Sequence, residues 1–222
     1  MRIIAISDTH GLHEELVLPD GDMIIFAGDM CGWGHGISDI ISFGDWIYDQ
    51  PHKYKIVIAG NHDWTFQDDY YMSKSLLEDI TYLQDDMVEI EGIKIYGSPW
   101  QPTFFNWAFN LDRGDEISRK WDLIPDETDI LVTHGPPMGH LDWNNTKTDR
   151  VGCYDLNRAV KRVKPRYHIF GHIHNYHGIE ETDGTTFINA SNCNDRYVIK
   201  YDPIVIDYKL GKLPERTKGI GC

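Results

Sequence analysis

Five short apolar runs set what this chain can fold into: residues 3–6 (IIAI), Met23–Ala27 (MIIFA), 55–59 (KIVIA), Ile130–Thr133 (ILVT) and 168–170 (HIF). Each is almost continuously hydrophobic and rich in β-branched residues instead of alternating, the pattern of strands covered on both faces. Between them lie stretches of helical spacing. Ile37–Tyr48 is expected to turn Ile37, Ile40, Ile41 and Trp46 inward; 115–123 turns Ile117 and Trp121 inward with Asp115 as a cap; Tyr154–Val163 places Leu156, Ala159, Val160 and Val163 on one face. Residues 88–96, Thr185–Asn189 and 198–210 around Pro203 read as hairpin-like strands. Strands alternating with helices, plus extra β segments, predict an α/β fold with a sheet, or two sheets packed face to face, flanked by helices. With no repeat, linker tract or charge block, residues 1–222 read as one domain.

The residues just past each run carry the chemistry. The first run leads into Asp8-Thr-His10, the second ends Ala27-Gly-Asp29 and the third Ala59-Gly-Asn61-His62-Asp63. The fourth ends Thr133-His134-Gly-Pro-Pro and the fifth Phe170-Gly-His172-Ile-His174. Open α/β sheets form their sites outside the carboxyl ends of the strands, because several loops converge there. Glycines beside Asp29, Asn61, His134 and His172 let the backbone turn sharply. A lone Asp-x-His or Gly-Asp is commonplace, and Asn and His also serve turns. Turn chemistry alone does not explain why five successive strand ends all supply metal-competent groups.

Seven of these groups, Asp8, His10, Asp29, Asn61, His134, His172 and His174, exceed what one tetrahedral zinc takes and suit two five- or six-coordinate ions sharing a carboxylate. Imidazole, carboxylate and amide donors without thiolate suit two divalent transition-metal ions, Mn2+ first and Fe or Zn2+ next, over Ca2+ or copper. Two such cations about 3.5–4 Å apart acidify a bridging water to hydroxide, hold the phosphoryl oxygens and neutralise the charge that builds during in-line displacement at phosphorus. His62 is left beside Asn61 without a metal role. A histidine there suits the proton donor that a departing alkoxide needs.

The order Asp-x-His, Gly-Asp, Gly-Asn-His-Asp, His-Gly and Gly-His-x-His, complete between residues 8 and 174, resembles the calcineurin-like metallophosphoesterase superfamily. The resemblance implies two mixed β-sheets sandwiched by helices. It implies a first metal on Asp8, His10, Asp29 and His174, and a second on Asn61, His134 and His172, with Asp29 bridging and His62 as leaving-group acid. Residues 97–110 (GSPWQPTFFNWAFN), 133–137 (THGPP), Tyr176 and Gly178 after GHIH, and 188–191 (INAS) are similar to the metallophosphoesterase-domain subfamily, a group associated with phosphodiester hydrolysis, that of cyclic nucleotides included. Some animal members of that group carry Gly where His172 stands, which weakens their second metal site, so the histidine here implies a more active version. Protein Ser/Thr phosphatases of the superfamily continue their Gly-Asp as GDxxDRG, giving an acid that orients the histidine and an arginine that grips phosphate. This chain reads Gly28-Asp-Met-Cys-Gly-Trp33-Gly, which disfavours a phosphoprotein substrate and leaves Asp63 as the candidate to orient His62.

Charge limits the partners. With 35 acidic against 21 basic residues the net charge is −14, which repels nucleic-acid backbones and anionic lipid surfaces. A small phosphodiester or nucleotide, such as a 2′,3′- or 3′,5′-cyclic nucleotide, held by local cations is the expected substrate; stable nucleic-acid or membrane binding is not expected. The same site also admits a phosphomonoesterase or nuclease, and a non-catalytic interaction scaffold keeping the fold is the reading from another class. Four scattered cysteines (Cys31, Cys153, Cys193, Cys222), a beginning that turns polar by Ser7 and the lack of a long apolar stretch point to the cytoplasm. Among Trp100, Phe104, Phe105, Trp107 and Phe109, most are expected in the core with one ring facing substrate. Cys31 is expected to be a small buried thiol, and His140 and His177 are candidates to touch a phosphate or base. His13, His35, His52 and His168 read as surface or structural residues, and the basic run 161–166 as a solvated helix end. None of these features encodes an oligomeric state.

Overall fold

In a computed structural model that describes residues 1–33 and 36–209, the apolar runs become strands with both faces buried. β1 (Arg2–Ile6), β2 (Met23–Ala27), β3 (Tyr54–Ile58) and the short β4 (Thr81–Tyr82) lie side by side and parallel. The antiparallel pair β5 (Asp86–Ile90) and β6 (Ile93–Ser98) opens a second sheet, and β7 (Gln101–Pro102) and β8 (Asn110–Leu111) form a small ladder of their own. β9 (Ile130–Thr133) and β10 (Tyr167–Phe170) continue the second sheet in parallel from β6, and β12 (Thr185–Asn189) follows β10 in parallel, with β11 (Gly178–Thr182) antiparallel on its edge. β13 (Ile204–Asp207) returns to the first sheet antiparallel to β1, giving the orders β13-β1-β2-β3-β4 and β11-β12-β10-β9-β6-β5. Both large sheets are therefore mixed, and helices flank them.

Side chains alternate across a strand, and here each face finds a cover. Ile3, Ala5, Met23, Ile25, Ile56 and Ile58 point between the sheets and meet Ile93, Ile95, Ile130, Val132, Ile169 and Ile188 from the other side. The opposite residues of the first sheet, Ile4, Ile6, Ile24, Phe26 and Val57, pack under α1 (Ile37–Tyr48) through Ile40, Phe43 and Ile47. Two short helices, α2 (Trp64–Asp68) and α3 (Tyr70–Ser75), follow β3. Tyr96, Leu131 and Phe170 of the second sheet pack under α4 (Asp115–Trp121) and α5 (Tyr154–Val163), through Ile117, Trp121, Leu156, Val160 and Val163. Each such side chain, fully buried, contributes roughly 1.5–3 kcal/mol, which explains why the runs show no polar alternation.

Several local expectations are corrected. Ile37 and Ile41 of α1 are 44% and 45% exposed, while Phe43, Gly44 and Ile47 are buried; Phe43 and Ile47 rotate the apolar face away from the one anticipated. α4 starts on Gly114 as its cap, with Asp115 already helical. Within 198–210 only Ile204–Asp207 is a strand among the described residues, paired with β1 instead of a hairpin partner; Leu210, His35 and Cys222 lie outside the described residues. Cys31, Cys153 and Cys193 are free and buried. Among the described residues no helix is long and apolar enough to cross a membrane.

Candidate active site

The carboxyl ends of β1, β2 and β3 face those of β9 and β10 at one end of the molecule, and the sheets are tied together there. Ser7 bridges Ser191, the Ser7 N–H donates to Asn192 Oδ1 at 3.1 Å, and the Asn192 N–H returns a bond to Ser7 O at 2.9 Å. All eight residues singled out in the sequence meet at this seam. Ligand atoms of Asp8, His10 and His174, of His10, Asp29 and His62, and of Asp29, His134 and His172 lie within 4.8 Å of one another in each trio. Asn61 Oδ1 joins them 2.8 Å from His134 Nε2. His62, given no metal role from the sequence, thus stands in one trio itself.

The backbone is bent to bring them in. Asp8, His10, Asp29 and His172 all adopt left-handed conformations, with φ of 54°, 46°, 62° and 67°. Such geometry costs a non-glycine residue of order 1–3 kcal/mol and persists only where the surroundings enforce it. The loops also press against each other. A Cβ on Gly60 would lie 2.5 Å from the Asp29 nitrogen and 2.7 Å from His134 Cε1, so this position has to be glycine for the second and fourth strand ends to meet.

Hydrogen bonds fix which atoms face the centre. His10 Nδ1–H donates to Cys31 O (3.2 Å), His134 Nδ1–H to Ala27 O (2.9 Å) and His174 Nδ1–H to Asn194 O (2.9 Å). Backbone carbonyls can only accept, so in each ring Nε2 is the nitrogen presented inward, the arrangement that orients metal-bound imidazoles. The consequence is a test of the metal reading: His10 Nε2 and His174 Nε2 stand 3.2 Å apart with both Nδ1 positions committed as donors. Two lone pairs at that distance require a proton or a cation between them. Asp8 is oriented in the same way, accepting from the His172 N–H at 3.0 Å and from Ser191 Oγ–H at 2.7 Å. The donor set therefore fits divalent cations, through oxygen and imidazole nitrogen with no thiolate.

The electrostatics agree. Burial pushes the Asp8 carboxyl upward, but the His174 hydrogen bond and charge outweigh it and hold the group well below the usual carboxylate range. Asp29 behaves alike, its burial outweighed by His134 and His62. Burial lowers His10 to about 4 and His172 to about 3, keeping both neutral and ready to donate a lone pair. His134 is also opposed by burial, yet Asp29, 3.3 Å from its Nε2, raises it to about 9. Buried carboxylates that hold on to protonated imidazoles mark a site that wants positive charge.

Asp63 does not orient His62. Its carboxylate instead collects backbone N–H groups from two loops: Asp29 (2.9 Å), Cys31 (2.9 Å), Gly60 (2.7 Å) and Met30 (3.4 Å). It is a brace between the second and third strand ends, raised to about 6 by burial and by Asp29. His62 Nδ1 bonds to Gly32 O at 2.5 Å, and its ring stacks on Trp107 with centroids 4.2 Å apart and planes at 22°. Cys31 lends its carbonyl to His10, while its thiol is buried and pushed far up by burial and Asp63.

A cleft of about 600 Å³ opens over this centre, its walls including His62, Phe104, Trp107, Arg113, Arg150 and Tyr197. The aromatic stretch is thus less buried than anticipated: Phe109 is core and Trp100 partly so, but Phe104 and Trp107 face the cleft and Phe105 is 79% exposed. His140 and His177 do not reach it. His140 bonds to Glu180 (2.9 Å) and stacks on Phe187, and His177 donates to Ser191 O and stacks on Tyr201. Sequence reading missed Tyr197, Arg113 and Arg150 because none follows one of the five apolar runs; Ser191 had a signal in the INAS run.

The chain is similar to known proteins. A model of the calcineurin-like phosphoesterase family matches residues 1–176. The chain is 45% identical over 230 residues to human Metallophosphoesterase domain-containing protein 1, covering 93% of this chain and 70% of that protein. It is 43% identical over 239 residues to a UPF0046 protein of Caenorhabditis elegans, covering 98% and 84%. In fold it resembles the solved phosphopantetheinyl hydrolase from Mycobacterium tuberculosis, at a TM-score of 0.60 and 14% identity over 88% of this chain and 90% of that one.

Proposed function

The chain belongs to the calcineurin-like phosphoesterase family, and on that premise we propose that it is a metal-dependent phosphodiesterase of small phosphodiesters, cyclic nucleotides among them. The observation that carries the metal reading is the facing pair His10 Nε2 and His174 Nε2, 3.2 Å apart beside the Asp8 carboxylate with both Nδ1 atoms spent on backbone carbonyls, a cluster of inward donors that a bound cation would hold together. Two divalent ions, Mn2+ first and Fe or Zn2+ next, would be held by Asp8, His10, Asp29 and His174 and by Asp29, Asn61, His134 and His172. When bound, such ions supply the positive charge that takes up a phosphoryl group and acidifies the attacking water. The rest falls to the chain's own side chains. Asp8 and Asp29 stay ionised, and the carbonyls of Ala27, Cys31 and Asn194 keep the imidazoles pointed inward. His62 keeps Nε2 free of hydrogen bonds among the described residues while Nδ1 is tied to Gly32 O, which suits a proton donor to a departing alkoxide.

Cleft size and charge support a small substrate. A cleft of about 600 Å³ lies within the range of small-molecule sites, and the net charge of −14 disfavours a long polyanion. One domain over residues 1–222, working in the cytoplasm on a small phosphoester, completes the proposal.

The test is hydrolysis of bis-p-nitrophenyl phosphate, a 2′,3′- and a 3′,5′-cyclic nucleotide, a mononucleotide and an oligonucleotide, with Mn2+ and with a chelator. Metal-dependent turnover of the diesters above the mononucleotide and oligonucleotide is expected; no metal-dependent turnover of any diester defeats the proposal. His62→Ala is expected to slow cyclic nucleotide cleavage by about 10²-fold or more with the bound metal unchanged. Loss of metal in that variant would make His62 a ligand instead.

A further inference from the structure

This inference rests on the proton-donor role proposed for His62 and concerns what aims it. An imidazole that protonates a leaving group has to keep one nitrogen toward substrate, which requires a fixed partner for the other and a fixed ring plane. Among the described residues no carboxylate bonds to the His62 ring. Nδ1 meets only Gly32 O, at 2.5 Å. Gly32 is held in turn by Asp39 in the first turn of α1, whose Oδ2 accepts the Gly32 N–H at 3.0 Å.

The ring plane is set from another loop. Trp107 lies nearly parallel to the imidazole at 4.2 Å, while His10 (4.5 Å) and Trp33 (5.6 Å) close in edge-on. Trp107 is itself anchored to the loop it serves: the next residue, Ala108, donates its N–H to Asn61 O at 3.1 Å, and the Phe109 N–H bonds to Gln67 Oε1. The carbonyl therefore fixes rotation within the ring plane, and the indole fixes the plane. We propose that Trp107 and the Asp39-anchored Gly32 carbonyl are the positioning set of His62, in the place where a carboxylate would otherwise orient it.

Wild type, Trp107→Ala, Trp107→Phe, Asp39→Ala and Asp39→Asn, each loaded with Mn2+, are compared on bis-p-nitrophenyl phosphate, whose leaving group needs no proton, and on a cyclic nucleotide, whose leaving alkoxide does. Trp107→Ala is expected to lose about 10- to 100-fold more kcat on the second substrate than on the first, a share of the about 10²–10⁴ that general acids supply. Trp107→Phe restores most of that ratio, and Asp39→Asn, which keeps an acceptor oxygen, restores what Asp39→Ala loses. A second readout needs no activity: in the metal-free protein, nitrogen-15 NMR is expected to show a slowly exchanging His62 Nδ1–H that disappears in Trp107→Ala. Equal kcat loss on both substrates, loss of metal from Trp107→Ala, or an unchanged Nδ1–H signal overturns the inference. If the wild type cleaves no diester, the proposed function fails and the NMR measurement alone decides the positioning of His62.

Discussion

His168 sits fully buried in β10, with Nε2 2.8 Å from Thr133 Oγ1. The Thr133 hydroxyl spends its proton on Gly135 O at 2.8 Å, so Nε2 must be the donor and Nδ1 carries a lone pair that finds no partner. Protonating Nδ1 would place a charge in an apolar layer, and burial, helped by His140, lowers the group to about 3. The unfolded chain takes up that proton near pH 6.5 and the folded chain does not, so this residue favours folding above pH 6.5 and loses its contribution as pH falls toward 3. Between those values wild type should lose stability relative to His168→Gln by up to about 1.4 kcal/mol per pH unit. Urea unfolding of both metal-free proteins at pH 6.5, 5.5 and 4.5 measures this, and a constant difference would contradict it. The same contrast explains what could be read from single residues. Asp8, His10, Asp29, Asn61, His62, His134, His172 and His174 announce themselves by following strands, whereas His13, His52 and His168 are buried histidines that sequence could describe only as surface or structural.

At the scale of elements, the strand ends meet because certain residues have no side chain. Gly60→Ala is expected to push Asp29 and His134 apart, since its Cβ would overlap the Asp29 backbone as well as the His134 ring. Overpacking of this kind costs roughly 1–3 kcal/mol, and bound metal should fall below the wild-type stoichiometry by elemental analysis. Full metal content in the variant would show that the loops can give way. Among the elements themselves, Met23–Ala27, Ile37–Tyr48, Ile130–Thr133 and Tyr154–Val163 have the bounds that their patterns predict. The two strands are buried along their whole length, and the two helices each bury one face. The short α2 and α3 carry no complete apolar face, and β4 owes its two residues to pairing with β3; neither is visible locally. The α1 face departs from its pattern for a related reason, because Phe43 and Ile47 fit the groove over Phe26 and only the packed sheet says so.

For the molecule as a whole, the site is where two sheets are stitched together, so cations that bind it should stabilise the entire fold. At a hundredfold excess over its dissociation constant, Mn2+ adds about 2.7 kcal/mol if it binds only the folded state. For a chain of this size that raises the melting temperature by roughly 5–10 °C. Differential scanning fluorimetry with Mn2+ and with chelator checks this; the shift should vanish in Asp29→Ala, and a shift kept in that variant would put the ions elsewhere. The sequence by itself determined the layer architecture and the eight polar residues of the centre, because two-faced burial is legible in each strand and the carboxyl ends of the strands in an open sheet are where loops converge. Only the tertiary structure decided that Asp63 braces loops, that Gly32 and Trp107 hold His62, and that Tyr197, Arg113 and Arg150 wall the cleft. Those relations join segments that local patterns treat separately, and a backbone carbonyl acting as a partner leaves no trace in the identity of its residue.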